Sequence, residues 1–360
     1  MCKKNKTAVA LDHPCLQYTG RIDVSDPKHP EFVFPATSLL FRFRGARACL
    51  TVTNKSQYWT NYLGVIIDGK QESVRLDNDG KTVVALECGE ENAVHEVRIF
   101  KRMDSCHEIR LEKLALEGGE LLAPPERPKL RMEVYGDSVS AGEISEALDC
   151  VGRADPEHDG EYSNSWYSYA WMTARLLGAE LHDIAQGGAA LLDGTGWFGV
   201  PEYIGMESIW DKVHYNPALH EPTRWDFSRY TPHIVIVAVG QNDQNPVNFM
   251  AIDADSERSR MWKRRYGEFL AGLRERYPDA HIICITTLLE HSAVWDDAIA
   301  EVCEKLSDAH VHNYRFRRNG CGTPGHLRIP EAQEMAEELA SYVRNAIPEV
   351  SGQRIPNRGI

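Results

Sequence analysis

The chain changes rhythm once, and the change falls at a run of prolines. Before it, from about Phe32 to Leu116, the pattern is all-β. SLLFRFRG, ACLTVTN, YLGVIIDG, KTVVALECG, HEVRIFKR and HEIRLEKLAL alternate or run apolar over strand lengths. Turn signals such as Asp68-Gly69 and Asn78-Asp79-Gly80 divide them, which predicts a sandwich or jelly roll. Pro124, Pro125 and Pro128 then interrupt regular structure. After them strands alternate with helices, the signature of a parallel sheet covered on both faces. Strands are predicted at 131–136, 180–185, 233–239, 280–287 and 309–314, and helices near 164–178, 256–277, 292–306 and 330–346. The domain expectation is a β-sandwich over 1–122, a linker at 123–130, an α/β domain over 131–349 and a polar tail at 350–360.

A length of 360 residues fits two domains. The net charge of −13 argues against nucleic acid and anionic membrane surfaces as partners. Nine dispersed cysteines without a C-x-x-C pair point to free thiols in a reducing compartment. The N-terminal AVAL is too short for a signal-peptide core, and no apolar run approaches membrane length. The expected location is cytoplasmic.

Chemistry enters at the first strand after the prolines. RMEVYGDSVSAG breaks at Gly136-Asp137-Ser138, placing one hydroxyl at the carboxyl edge of a strand, where open α/β sheets bind ligands. After the second strand, Gly187-Gly188 lets backbone N–H groups approach a ligand. The third ends in Gly240-Gln241-Asn242-Asp243, and a side-chain amide there is placed to donate to a developing oxyanion. Near the C-terminus, His326 sits in a glycine-proline loop ahead of a helix, a suitable place for a general base. Each piece alone has a plain reading: a turn, an Asx cap, one of fourteen histidines.

Together, Ser, Gly, Asn and His in this order resemble the SGNH, or GDSL, hydrolases over about 130–346. The resemblance implies a flavodoxin-like α/β domain with Ser138 as nucleophile and His326 as base. It also implies that the Gly188 N–H, the Asn242 amide and the Ser138 N–H hold the oxyanion, Gly188 being chosen over Gly187 with one residue of latitude. The N-terminal GRID, FRFRG, VIIDGK and RIFKR, and the junction LLAPPERPKLRMEVYGDSVSAG, are similar to carbohydrate esterase family 2. That family joins a jelly roll to an SGNH domain and includes acetylxylan esterases. The implied partner is an acetylated carbohydrate, deacetylated without any cofactor.

One departure stands out. The family's acid lies two or three residues before the histidine, where this chain has Pro324 and Thr323. A Ser138–His326 dyad with a backbone carbonyl orienting the imidazole is therefore expected, with Glu331 or a more distant carboxylate as the substitute. Asp137 and Asp243 are read as loop-holding acids. His182, His291, His310 and His312 lack the short spacings of a zinc site, so no metal is expected. A sugar substrate makes Trp197, Trp210 and Trp295 candidate stacking surfaces, while the aromatic rings of 195–230 fit loop packing equally well. Two alternatives stay open: a degenerate carbohydrate-binding protein, and an SGNH lipase or thioesterase. A homo-oligomer is also compatible with the sequence.

Overall fold

The computed structural model describes residues 6–104, 106–199 and 202–347, so the polar tail lies outside the described residues. The N-terminal part is two six-stranded antiparallel sheets packed face to face. One runs Ile22–Asp23, Glu31–Phe32, His107–Glu117, Arg47–Ser56, Lys81–Glu87, with Lys6–Val9 also on His107–Glu117. The other runs Glu120–Leu122, Ser38–Arg44, Val94–Lys101, Tyr62–Ile67, Lys70–Arg75, with Gln17–Thr19 on Ser38–Arg44. Inward residues such as Leu39, Phe41, Phe43, Val97 and Ile99 alternate with outward ones and form the core between the sheets. Lys70–Arg75 reads KQESVR and is mostly exposed. It pairs through its backbone on a sheet edge, with no apolar alternation to announce it.

The second part is a five-stranded parallel sheet in the order Ala179–Ala185, Leu130–Gly136, Ile234–Ala238, His281–Cys284, Val311–Asn313. In chain order this is 2-1-3-4-5, the flavodoxin-like arrangement, whose ligand crevice opens beside the first strand at its carboxyl end. The period of two sends Val235 and Val237 to one face and Ile234 and Ile236 to the other. Helices Glu257–Arg276 and Val294–Leu306 cover the first face, and Tyr169–Leu177 and Ile329–Ala346 the second. Their ends carry local signals. Ser256 caps the helix Glu257–Arg276 by accepting the Ser259 N–H at 3.1 Å, and Arg274 and Arg276 sit in the last turn against its dipole.

The aromatic stretch between the second and third strands is mostly a local core. Phe198, Tyr215 and Trp225 are buried under the sheet, whereas Trp197 and Tyr203 remain exposed.

The sandwich is fastened to the α/β domain by Arg21. The turn at Gly20, with φ of 110°, is one that only glycine fits, because a Cβ would stand 2.4 Å from Thr37 Cγ2. The guanidinium enters the α/β domain and donates to Glu133 Oε1 at 3.1 and 3.3 Å, to Tyr135 Oη at 2.7 Å and to the Trp210 and Lys212 carbonyls. Both charged groups have no exposure, and Tyr135 donates to the remaining Glu133 oxygen at 2.8 Å. Removing one partner of a buried pair leaves an uncompensated charge. Arg21→Ala is therefore expected to lose about 3–5 kcal/mol of stability in a denaturant titration. The doubly changed Arg21→Ala/Glu133→Leu protein is expected to recover part of that loss.

Candidate active site

The strand Leu130–Gly136 runs into a four-residue helix, Ser138–Ala141, capped by Asp137. Asp137 Oδ1 accepts the Val139 N–H at 3.1 Å, and Oδ2 accepts Gln241 Nε2 at 2.7 Å and Asn242 Nδ2 at 3.2 Å. Burial raises Asp137 to about 6 despite these donors. It thus ties the first strand end to the third. Asp243 does the same for the second, accepting the Leu191 N–H at 2.8 Å and the Leu192 N–H at 3.3 Å.

Ser138 Oγ lies 2.8 Å from His326 Nε2. The other ring nitrogen meets no carbonyl. His326 Nδ1 is 2.7 Å from Asp155 Oδ2, and the His326 backbone N–H donates to Asp155 Oδ1 at 2.8 Å. The expected dyad is corrected to a Ser–His–Asp chain whose acid comes from 171 positions upstream. Gly325 permits this, because a Cβ there would stand 2.5 Å from Asp155 Oδ1. Arg328, fully buried, lies 3.0 Å from the same oxygen and donates to the carbonyls of His326 and Ala147. Burial works against ionising Asp155, but the His326 hydrogen bonds and the Arg328 charge lower it to about 2. Glu331 is occupied elsewhere: it accepts the Arg328 N–H at 3.0 Å in a capping box at the start of Ile329–Ala346.

The two glycines separate by what holds them. The Gly187 N–H donates to Asp104 Oδ2 at 2.7 Å. Among the described residues the N–H groups of Gly188 and Ser138 have no acceptor. The Asn242 amide has two, Asp137 Oδ2 at 3.2 Å and the Ala189 carbonyl at 3.1 Å, so an oxyanion at this amide would have to displace one of them.

Of the tryptophans, Trp295 is completely buried against Phe249 and Trp262, with Nε1 on Asn248 Oδ1 at 3.2 Å. Trp210 packs on Phe227 and Phe269. Trp295 is a core residue, which corrects its reading as a sugar-stacking surface, and Trp210 is partly buried against the same core. Trp197 is 68% exposed, and its N–H donates to the Gly188 carbonyl at 2.8 Å.

Three acids near this centre carry no sequence signal. Asp155 is one. Glu143, one turn past Ser138, places Oε2 3.9 Å from His326 Nε2. Asp104 arrives from the sandwich, and its Oδ2 and Glu143 Oε2 lie 2.5 and 2.7 Å from where a Gly187 Cβ would stand. Burial raises Glu143 to about 7, its nearness to His326 opposing the rise. Burial lowers His326, but Glu143 and Asp155 outweigh it and the imidazole titrates above its usual 6.5.

Comparison with known proteins agrees with this architecture. The carbohydrate esterase 2 N-terminal family matches residues 18–125, and the GDSL-like lipase/acylhydrolase family matches 134–317. The chain belongs to the GDSL-like carbohydrate esterases of family 2. It is 28% identical over 347 residues to the cellulase/esterase CelE of Acetivibrio thermocellus, covering 93% of this chain and 40% of that protein's length. It is 28% identical over 346 residues to an acetylxylan esterase/glucomannan deacetylase of Cellvibrio japonicus, covering 93% of this chain and 90% of that one. A family two carbohydrate esterase from Clostridium thermocellum, solved with cellohexaose, superposes with a TM-score of 0.77 at 26% identity, over 92% of this chain and 99% of that one.

Four outcomes follow from the geometry. Asp155→Asn is expected to lower kcat on p-nitrophenyl acetate by about 10⁴, the cost of neutralising an acid that fixes the imidazole tautomer. Glu331→Gln is expected to leave kcat within a few-fold. With His326 as general base the neutral imidazole is the active form, so kcat/KM is expected to rise with pH through a midpoint above 6.5. Glu143→Gln removes a negative charge that favours the imidazolium, so the pH–rate profile moves to a lower midpoint.

Proposed function

We propose that this chain is a serine esterase that releases acetate from acetylated carbohydrates through an acyl-enzyme on Ser138. The observation that carries the reading is the continuous hydrogen-bonded chain from Ser138 Oγ through His326 to Asp155, beside two N–H groups without acceptors. In the proposed sequence Ser138 Oγ attacks the acetyl carbonyl carbon and its proton passes to His326 Nε2. The carbonyl oxygen becomes an oxyanion facing the N–H groups of Ser138 and Gly188 and the Asn242 amide. Collapse breaks the bond to the sugar oxygen, which takes the proton from Nε2. A water then gives a proton to Nε2 and its oxygen to the acyl carbon, and a second collapse returns acetate and Ser138. Asp155 stabilises the imidazolium in both halves.

Asp155 also removes the motive for reading a degenerate site, which was the missing acid. The carboxyl groups of Glu143 and Asp104 beside Gly187 support a polar sugar ester over a long acyl chain, since a buried carboxyl beside a methylene chain gains nothing and loses water. The relatives' substrates, an acetylated xylan or glucomannan, supply the substrate class. Free thiols at all eight described cysteines support a reducing, cytoplasmic setting, and no helix is long and apolar enough to cross a membrane among the described residues.

Acetate release from acetylated xylo-oligosaccharides, with the cleaved positions mapped, tests the reading. Ser138→Ala is expected to abolish it, and an unchanged rate in that variant would overturn the proposal. Asn242→Ala is expected to lower kcat by about 10²–10³ with little change in KM, because its amide acts on charge that develops in the transition state.

A further inference from the structure

A second cluster of ionisable groups lies apart from the Ser138–His326–Asp155 chain, where the sandwich meets the long loop of the α/β domain. Asp23, Glu31 and Glu108 come from sandwich strands, and His214 and His220 from the loop. One ring nitrogen of each histidine and one carboxylate oxygen of Glu31 all lie within 4.8 Å of one another. His214 is buried without exposure; its Nδ1 is 2.9 Å from Glu108 Oε1 and its Nε2 is 3.1 Å from Asp23 Oδ2. His220 Nδ1 donates to the Glu221 carbonyl at 2.8 Å. That bond fixes the proton on Nδ1 and leaves Nε2 with its lone pair.

Two further observations point to an absent ligand. Glu108 is 2% exposed, yet its Oε2 has no hydrogen-bond partner among the described residues. Burial lowers His214, but Asp23 and Glu108 outweigh it and raise it to about 9, so with Glu31 three carboxylates meet one imidazolium here. Arg110 reaches one Glu31 oxygen at 3.3 Å, and Arg229 donates to the Ile22 carbonyl beside Asp23. The loop is prepared rather than slack. Thr223 and His214 exchange hydrogen bonds, and the His220 N–H donates to the Asn216 carbonyl at 3.0 Å.

We propose that this cluster is a divalent transition-metal site of zinc type, bound by His214 Nε2, His220 Nε2 and the carboxylates of Glu31 and Asp23. Two imidazoles with carboxylates are a borderline-soft donor set that suits zinc better than magnesium or calcium. Glu108 is then the carboxylate that accepts the Nδ1–H of a metal-bound imidazole and orients it. Binding displaces the proton between His214 Nε2 and Asp23 to solvent. The two rings stack 3.9 Å apart and nearly parallel, so binding requires the half-buried His220 to rotate out of the stack until its Nε2 lone pair meets the ion. The ion would clip the sandwich to the loop, giving it a structural role separate from the esterase chemistry.

The test uses the full chain, stripped with EDTA, dialysed and titrated with zinc by calorimetry, with thermal melts alongside. About one zinc per chain is expected, and excess zinc should raise Tm by about 3–5 °C. Cobalt(II) in its place should give visible d–d absorption from a site of low coordination number. His220→Ala and Glu31→Gln change residues with solvent contact and keep the fold, and each is expected to weaken zinc binding at least about tenfold. Acetate release at 25 °C by stripped and zinc-loaded protein should agree within about twofold. A competing group exists at the sheet edge, where His281 stacks on His310 and His312; His310→Ala should leave binding unchanged. Absence of zinc binding, equal binding by His220→Ala, or loss of binding in His310→Ala would each overturn the proposal.

Discussion

The structure depends on a charge pair sealed in its interior. Arg21 and Glu133 have no exposure, and Glu133 sits on the strand that delivers Ser138 five residues later. A buried ion pair is a poor source of net stability, because two charges must leave water to form it. Its value here is registration. Five guanidinium bonds, to a carboxylate, a phenol and two carbonyls, are satisfied by one placement of the sandwich on the sheet. A shift of a few ångströms would leave several of these buried groups unpaired, each costing on the order of 1–3 kcal/mol.

That registration brings sandwich residues onto the loops of the active site. Asp104 holds Gln186 and Gly187 and so sets where the neighbouring Gly188 N–H points. Thr60 binds Asp159 through backbone and hydroxyl, pinning the loop that carries Asp155. Trp59, held at φ of 60°, lays its ring 4.6 Å from His158 in the same loop. The sandwich thus buttresses both the Gly187-Gly188 turn and the loop of Asp155. The matched families, which divide the chain near residue 130, each describe half of one mechanical unit.

How much of this was legible follows from the range of the signals. The five parallel strands announce themselves because each is an apolar run or alternation, and the observed Ile234–Ala238 and His281–Cys284 fall inside their predicted spans. Ser138, Gly188 and Asn242 are readable because each follows such a strand, and His326 because it precedes a long helix. Asp155 is not readable. It lies in an irregular acidic loop, and only the fold brings it to a histidine 171 positions away. Lys70–Arg75 is hidden because an exposed edge strand needs no apolar face. Trp295 misleads for the opposite reason: nothing in an indole side chain tells a sugar platform from a core residue. The His214–His220 cluster escapes because its carboxylates sit nearly two hundred positions before its imidazoles.

The acid-lined crevice has a consequence for what leaves it. Asp155 is ionised, and Glu143, at about 7, is partly so near neutrality. In the proposed reaction a neutral ester becomes an acetate anion on the Glu143 side of the imidazole. The charge of Glu143 that helps keep the imidazole basic is also of the sign that disfavours retaining that acetate.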